Sequence, residues 1–206
     1  MSEKELIEYV ERNLENSSMI DTETGIAAVN QLAKIAEREG VEWALAGGVA
    51  MHLYGSPRLT KDVDIISMKR LSLESIRPIG FGGESYQVTV GKKVIHVDWI
   101  VREDNYRQYY IQALKDATTL KNGLRLITTE WLAILKYIAG REKDTNDVIF
   151  LLRKNGYVRR DIIKENIVKT KSEDVWYAML PSWQRLFDIA DSKIAERDKY
   201  YRDPMR

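Results

Sequence analysis

The chain has 206 residues, 32 basic and 31 acidic, and a formal net charge of +1, which argues against a protein that coats nucleic acid through a generally basic surface. It contains no cysteine and only two histidines, which excludes disulfides, thiolate nucleophiles and histidine-rich metal sites, so a bound metal would be a carboxylate-bound hard ion such as Mg²⁺ or Mn²⁺. No segment has the roughly 18 consecutive apolar residues of a membrane helix, and the N-terminus lacks the order of a secretory signal, so we expect a cytoplasmic protein with no membrane partner.

The first part of the chain combines helical and strand patterns. Apolar residues at helical spacing predict helices, and short apolar or alternating runs between turn residues predict strands. One helix follows Asp21 and Thr22 and ends near Gly40, and Gly91 separates the two strands of a hairpin. In chain order we predict helices at 3–13 and 22–40, a strand at 41–46, a short helix through 53, strands at 62–66, 85–90 and 93–101, a helix at 103–114 and a strand at 124–127.

From Thr128 onward the apolar spacing is about 3.6 residues and no strand pattern returns. Thr129 can cap a helix through 139, and further helices are predicted at 142–154, 161–168 and 174–199. We therefore expect an α+β fold, with an α/β domain at 1–125 that includes the two N-terminal helices, and a helical domain at 126–206. Four aromatic residues are expected in the core of the helical part: Trp176, Tyr177, Trp183 and Phe187.

Three aspartates on predicted strands suggest a metal site. Asp62 and Asp64 lie two residues apart on one strand, so both carboxylates point to the same face at a spacing of about 7 Å. Like charges this close repel each other unless a cation lies between them. Asp98 is a single acid in another apolar strand and completes a cluster of three if that strand lies beside the first. Such a cluster can bind one or two Mg²⁺ ions and leave one carboxylate as a general base.

Gly47 and Gly48 lie between a predicted strand and a predicted helix. Two glycines at such a turn let the backbone approach a phosphate closely, and the N–H groups that begin a helix favour an anion. Alone, a Gly-Gly pair is usually a simple turn, and a pair of acids on a strand is usually an exposed edge. In this order, glycines for a triphosphate and carboxylates for its metal ion are complementary parts of one site.

The segment at 44–66 resembles the nucleotidyltransferase superfamily that includes polymerase β, whose signature is an apolar residue, two small residues, a spacer and an Asp-x-Asp pair. In this chain Ala46-Gly47-Gly48 is followed by thirteen residues and then by Asp62-Val63-Asp64. Further motifs are similar to the abortive-infection toxin branch: Gly48-Val49-Ala50, Arg58-Leu59-Thr60, Leu135-Lys136 and Arg141-Glu142-Lys143-Asp144-Thr145-Asn146-Asp147.

This resemblance spans about residues 41–153 and implies a nucleotidyltransferase-like mixed β-sheet flanked by helices and followed by a helical half. The reaction it implies is metal-dependent transfer of an NMP from an NTP to an acceptor hydroxyl, with Asp98 as the candidate general base and Lys136 offsetting charge on the leaving pyrophosphate. The roles it implies are metal binding and catalysis for Asp62, Asp64 and Asp98, phosphate contact for Gly47 and Gly48, and nucleotide contact for Lys136.

The acceptor is left open by these residues. The toxin resemblance implies a tRNA 3′ end or a protein side chain, and with it an antitoxin protein as a partner. The antibiotic nucleotidyltransferases, which have a similar Gly-Gly and Asp-x-Asp core, imply a small hydroxylated molecule, and the near-neutral net charge favours this alternative. A third alternative is a non-catalytic nucleotide-binding module, although three intact acids argue against it. The basic stretch at 153–171 could receive an RNA backbone or be a solvated helical face.

Five further residues each have two interpretations. Arg58 and Thr60 either help bind the nucleotide phosphates or only close the loop before the acidic strand. Lys136 either contacts the nucleotide or is a solvated lysine on an amphipathic helix. Asp144 and Asp147 either contribute to nucleotide binding or form ion pairs with basic neighbours. The neighbours available for pairing are Arg141 and Lys143.

Overall fold

The structure is a computed structural model that describes residues 19–154 and 158–194, so the helix predicted at 3–13 lies outside the described residues. The described residues form one seven-stranded mixed sheet and seven helices. The helices are α1 (Thr22–Arg38), α2 (Gly47–Leu53), α3 (Arg107–Lys115), α4 (Thr129–Ala139), α5 (Glu142–Arg153), α6 (Arg160–Thr170) and α7 (Glu173–Ala190). The strands are β1 (Trp43–Ala46), β2 (Asp62–Ser67), β3 (Arg77–Pro78), β4 (Gly83–Val90), β5 (Lys93–Ile100), β6 (Thr118–Thr119) and β7 (Arg125–Leu126).

Strand β2 lies at the centre of the sheet, whose order is β3-β4-β5-β2-β1-β7-β6. It runs antiparallel to β1 and parallel to β5, and β5 forms an antiparallel hairpin with β4. Val63 and Ile65 of β2 are fully buried and alternate with Asp62 and Asp64, as the period of a strand requires. Because β2 is hydrogen-bonded on both sides, the positions of its two acids are fixed by the register of the whole sheet.

Helix α1 covers part of the sheet with a face of small and branched residues. The side chain of Asp21 caps it by accepting a hydrogen bond from the N–H of Thr24 at 2.7 Å. Ala28, Val29 and Leu32 on its inner face are buried, and the helix packs on β1, β2, β4 and β5. This explains why buried residues alternate with the two acids in the first part of β2, since one face of the strand is needed for the apolar core.

The helices after the sheet pack together and share its core. Trp183 of α7 is fully buried and its ring stacks on Tyr137 of α4, with 4.5 Å between the centroids. The predicted burial of Trp176, Trp183 and Phe187 is confirmed, whereas the prediction for Tyr177 is wrong because that side chain is 59% exposed. Buried apolar residues from both halves belong to one continuous cluster. The division into domains at residue 125 stays a prediction.

The α+β fold class is confirmed, and the corrections concern the ends of elements. Thr128, not Thr129, caps α4, since its side chain accepts a hydrogen bond from the N–H of Trp131. The helix predicted from residue 103 begins at Arg107, because Asp104 accepts from the N–H of Tyr106 and forms a turn before it. None of the helices in the described part of the chain is long and apolar enough to cross a bilayer.

The other differences arise where the sequence pattern is short. The last helix ends at Ala190, and Ser192 just beyond it has a left-handed backbone; residues 195–206 lie outside the described residues. Strands β3 and β6 have two residues each and were not predicted. In the basic stretch, Arg159 pairs with Asp161 and Arg160 pairs with Asp191, so these two charges are locally neutralised.

Candidate active site

The two acids of the candidate site are neighbours across the sheet. Asp64 on β2 pairs with Ala46 on β1 and with Asp98 on β5, and Asp98 in turn pairs with Ser85 on β4. Directly paired residues project from the same face of a sheet, and adjacent strands are about 4.8 Å apart. The carboxylates of Asp64 and Asp98 therefore lie side by side on one face, as expected if the two acid-bearing strands are neighbours.

Asp62 has a different environment from the other two acids. It is the first residue of β2, it is exposed, and its partner across the parallel ladder is His96 rather than an acid. It nevertheless acts on its neighbour electrostatically, since its charge contributes to raising the pKa of Asp64. Its participation in a cluster of three metal ligands stays a prediction.

The environment of Asp64 disfavours its negative charge. Burial is the main cause that raises the pKa of this half-buried carboxyl group, and the neighbouring charges of Asp98 and Asp62 raise it further. The charge of Lys136 and a hydrogen bond from the N–H of Gly48 act in the opposite direction. A cation bound beside Asp64 would stabilise its charged form.

The two glycines bring the β1–α2 turn into contact with the acidic strand. Gly47 has φ of +60°, and a Cβ atom built on it would overlap the carboxylate of Asp64. The N–H of Gly48 donates to Oδ2 of Asp64 at 3.3 Å, and a Cβ on this residue would overlap the side chain of Thr60. Both positions therefore need glycine because of close approach to neighbouring side chains, and the contact of both with phosphates stays a prediction.

A cavity of about 460 Å³ lies over the paired acids, within the range of roughly 300–1,000 Å³ of small-molecule sites. Its wall includes residues of the sheet, of α4 with the start of α5, and of the segments around β3 and after β5. The polar and aromatic residues in this wall are Asp64, Asp98, Arg77, Phe81, Arg102, Tyr110, Lys136, Arg141 and Asp144. The acids are thus combined with four cationic side chains in one cavity.

Lys136 is buried and forms ion pairs with two aspartates of α5. Its Nζ lies 3.0 Å from Oδ1 of Asp144 and 2.8 Å from Oδ2 of Asp147, and both acids are buried. The second contact is an ion pair without hydrogen-bond geometry, since Oδ2 of Asp147 accepts no hydrogen bond from any described residue. Arg141 also binds Asp144, with its Nε 2.5 Å from Oδ2. The interpretation of Lys136 as a solvated surface lysine is therefore wrong.

Arg58 and Thr60 hold the loop that precedes β2. Arg58 donates from Nε to Oδ1 of Asp147 at 2.8 Å, which ties this loop to α5. Thr60 is buried and donates from Oγ1 to the carbonyl oxygen of Asp62 at 3.1 Å. Arg58, Thr60 and Asp147 are not among the described residues of the cavity wall. These contacts match the interpretation that they close the loop, and a role for them in nucleotide binding stays a prediction.

The carboxylate oxygens of the paired acids are suitable ligands for a hard cation. Oδ1 of Asp98 is buried and accepts no hydrogen bond from the described residues, which is costly unless a donor or a cation approaches it. Mg²⁺ is commonly held by one or two carboxylates, with water and phosphate oxygens as the other ligands. In residues 19–154 and 158–194, no three histidine, aspartate or glutamate side chains are close enough together to hold a metal ion. The residues that fit such a cation are therefore the pair Asp64 and Asp98.

No protein-family model matches this sequence, and no curated protein matches it. Among solved structures, the chain is similar to an antigenic nucleotidyltransferase-like protein from Paracoccidioides brasiliensis. The two share 18% sequence identity with a TM-score of 0.46, over 78% of this chain and 94% of that chain. A likeness this distant assigns no family, so the function has to be argued from the residues of the cavity.

Several residues of the cavity wall were not predicted from the sequence. Phe81, Arg102 and Tyr110 line the cavity although they lie on no motif of the nucleotidyltransferase resemblance. Arg141 also lines it, although the sequence suggested only an ion-pair partner for Asp144. One signal was available, because Phe81 stands among three glycines in Gly80-Phe81-Gly82-Gly83, a pattern typical of a tight turn that presents one side chain.

Proposed function

We propose that this chain is a metal-dependent nucleotidyltransferase that moves an NMP from an NTP to an acceptor hydroxyl. The observation that carries the proposal is the pairing of Asp64 with Asp98 across β2 and β5, in a cavity that also contains Lys136 and Arg141. Two repelling carboxylates, one with a buried oxygen that has no hydrogen-bond partner among the described residues, destabilise a fold unless they serve a ligand. A non-catalytic module would have no need for this arrangement.

Mg²⁺ or Mn²⁺ would be held by Asp64 and Asp98, with Asp62 as a third ligand if its exposed side chain turns toward them. When bound, this ion would neutralise triphosphate oxygens and polarise the α-phosphate. Gly47 is the backbone position of the cavity wall from which the β1–α2 turn could contact the phosphates, with Gly48 beside it. Arg141, whose side chain is 61% exposed, would bind the leaving group.

The chain's own residues would then act as follows. The carboxylate of Asp98 accepts the proton of the acceptor hydroxyl, and the hydroxyl oxygen forms a bond to the α-phosphorus. The bond between the α-phosphorus and the oxygen that bridges to the β-phosphorus breaks, and pyrophosphate leaves with that electron pair. Lys136 stabilises negative charge in the cavity from a fixed position, because Asp144 and Asp147 hold its ammonium group.

For the acceptor we propose the 3′ end of tRNA, on the strength of the motifs that resemble the abortive-infection toxin branch. The match includes Lys136 and the run from Arg141 to Asp147, which together form the buried ion-pair network beside the cavity. An antitoxin protein as a partner belongs to the same proposal.

The test is incubation of the purified chain with each α-³²P-labelled NTP, Mg²⁺ and total tRNA. We expect label to appear in tRNA, and Asp64→Asn to reduce its transfer by more than about 100-fold, beyond the loss for groups that only support a metal ligand. Asparagine can still accept the hydrogen bond from Gly48 and removes a repelling charge, so the melting temperature should not fall. Glu23→Gln, an exposed neutralisation on α1, is the matched control and should leave transfer unchanged.

Two results would contradict parts of this proposal. Absence of NTP binding with Mg²⁺ in the parent chain would overturn the nucleotidyltransferase itself. NTP binding that depends on Asp64 and Mg²⁺, without label in tRNA, would overturn the tRNA acceptor alone. Label should then be sought on small hydroxylated molecules, the acceptors of the antibiotic-type enzymes, and on proteins.

A further inference from the structure

The turn before β4 presents an aromatic ring to the cavity. Phe81 is 42% exposed and lines the cavity, whereas most of the other aromatic rings in the described part of the chain are buried. The guanidinium of Arg102 lies 4.4 Å from the centroid of this ring, and it also lies 5.2 Å from the ring of Tyr110. We call Phe81, Arg102 and Tyr110 the aromatic wall of the cavity.

The backbone holds Phe81 in place. Its carbonyl oxygen accepts a hydrogen bond from the N–H of Glu103 at 3.2 Å, and the N–H of Gly82 donates to the carbonyl oxygen of Ile79 at 2.9 Å. Gly82 and Gly83 have φ of +111° and +104°, and a Cβ on either would overlap backbone atoms after or within β5. The turn therefore lies directly on the neighbouring backbone, and the ring needs little ordering when a ligand binds.

Arg102 is held as firmly as the ring that it covers. Its Nε and one terminal nitrogen donate to the two carboxylate oxygens of Asp104 at 2.7 and 2.8 Å, in a bidentate pair. The guanidinium is therefore oriented as a flat surface beside Phe81, with much of its charge offset by Asp104. Arg102 covers one face of the Phe81 ring, and because this ring is still 42% exposed, a planar heteroaromatic ring can stack on it.

The order of the strands separates the aromatic wall from the position proposed for the triphosphate. Gly47 follows β1, on one side of the Asp64–Asp98 pair, whereas β4 lies on the other side, next to β5. Phe81 comes two residues before Gly83, which pairs with Ile100, and Ile100 is two residues past Asp98. A group bound at Phe81 would thus lie on the side of Asp98, the candidate base, and away from Gly47. This is where an acceptor belongs.

A cation near the same turn fits the other half of a nucleotide. Arg77 lies in β3 and lines the cavity, its side chain is exposed, and no carboxylate of the described residues forms an ion pair with it. The other three cations of the cavity wall, Arg102, Lys136 and Arg141, are each paired with an aspartate. Arg77 is therefore the cavity cation best placed to bind a phosphate of an RNA chain.

We propose that the aromatic wall binds the terminal base of an RNA acceptor by stacking on Phe81, whose other face Arg102 covers, while Arg77 binds an adjacent phosphate. This rests on the proposed function and names the acceptor as a nucleotide at an RNA end. The stacking places the terminal ribose, which carries the attacking hydroxyl, next to Asp98.

The test is direct binding of a 5′-fluorescein-labelled RNA oligonucleotide that ends in CCA, measured by fluorescence anisotropy without NTP. We expect Phe81→Leu, which keeps apolar volume but removes the ring, to raise the Kd by about 5- to 150-fold, the range for loss of one stacked base. Phe81→Tyr keeps the ring and should stay within about twofold of the parent chain. Tyr177→Leu removes an exposed ring on α7 and is the matched control, with no change expected.

A second arm measures the Kd of labelled NTP with Mg²⁺ by equilibrium dialysis, where Phe81→Leu should have no effect. An unchanged Kd for the RNA, or no RNA binding by the parent chain, would overturn the proposal. A weaker NTP affinity in Phe81→Leu with unchanged RNA affinity would also overturn it, because the ring would then hold the donor base. Failure of the proposed function is distinguishable, since RNA binding that depends on Phe81 without any NTP binding refutes only the transferase.

Discussion

At the scale of single residues, the glycine in the turn between β1 and α2 is required by the side chain that it faces. Gly47 has φ of +60°, and so has Gly91 in the β4–β5 hairpin, but only Gly47 faces a side chain, the carboxylate of Asp64. A Cβ on Gly91 would meet nothing within 4 Å. The two glycines share one backbone conformation and differ in their surroundings. Comparing an alanine substitution at each therefore distinguishes the cost of backbone strain from the cost of a clash with Asp64.

We predict that Gly91→Ala lowers the free energy of unfolding by about 1 kcal/mol, the cost of a left-handed backbone with a side chain. Gly47→Ala should cost about 1 kcal/mol more, because Asp64 must move as well, and it should abolish Asp64-dependent NTP binding. Urea denaturation and NTP binding of both variants check this. Equal stability losses together with intact NTP binding in Gly47→Ala would show that the contact with Asp64 does not shape the site.

The acids of the site were predictable only in part. The two-residue spacing of Asp62 and Asp64 predicts a shared strand face, and that follows from the period of a strand alone. The pairing of Asp64 with Asp98 depends on the parallel register of β2 and β5, two strands that are separated in sequence by β3 and β4. No local pattern encodes that register. The contact of Arg58 with Asp147 joins residues 89 positions apart, so no local pattern predicts it either.

At the scale of elements, one buried network fixes α4 to α5. Lys136 of α4 contacts Asp144 and Asp147 of α5, and Arg58 adds the loop before β2. Burial by itself would raise the pKa of Asp144, but the hydrogen bond from Arg141 and the charge of Lys136 hold it below its ordinary value of 3.8. Because its pKa is lower in the folded chain, this carboxylate stabilises the fold above about pH 4, and that stabilisation is lost as the pH falls further.

We predict that Lys136→Met lowers the free energy of unfolding by about 3 kcal/mol at pH 7, since it leaves two buried aspartates without their shared cation. Lys143→Met, an exposed lysine of α5, should change it by less than about 0.5 kcal/mol. Urea denaturation at pH 7 and pH 3 measures both, and the loss caused by Lys136→Met should be smaller at pH 3, because the stabilisation from the charged form of Asp144 is reduced there. A loss that is equal at both pH values would mean that Lys136 stabilises by packing rather than by its charge.

The elements themselves were predictable in proportion to their length. Helices α1, α4 and α5 have several turns of apolar spacing, so their positions were predicted to within a few residues. Strands β3 and β6 have two residues each, too few for any alternation to be visible. Such strands exist because a neighbouring strand supplies hydrogen-bond partners, which a local pattern does not show.

At the scale of the whole molecule, the sheet and the later helices share their interior. The apolar cluster contains Leu45 and Val63 of the sheet as well as Trp131, Val148 and Trp183 of the helices. The α+β class could be predicted because strand patterns stop near residue 127, but this sharing of one core could not, since it depends on how the two halves pack.

We predict that the chain unfolds in a single cooperative transition, because buried apolar residues of both halves belong to one continuous cluster. Tryptophan fluorescence and far-UV circular dichroism, recorded over the same urea series, should give coincident curves. Trp183→Phe would serve as a control that removes one reporter from the helical half while keeping an aromatic side chain there. Two separated transitions would instead support independent domains divided near residue 125.

The paired acids at the centre of the sheet have a consequence for engineering this protein. An uncharged residue in place of Asp64 would remove both the cost of burying a charge and the repulsion from the neighbouring acids. The charge of Asp64 therefore lowers the stability of the fold. Selection for heat resistance alone would thus favour neutral residues at that position, and the variants that survive best would be those without the proposed chemistry. Any stabilisation campaign should hold Asp64 and Asp98 constant and look for its gains elsewhere.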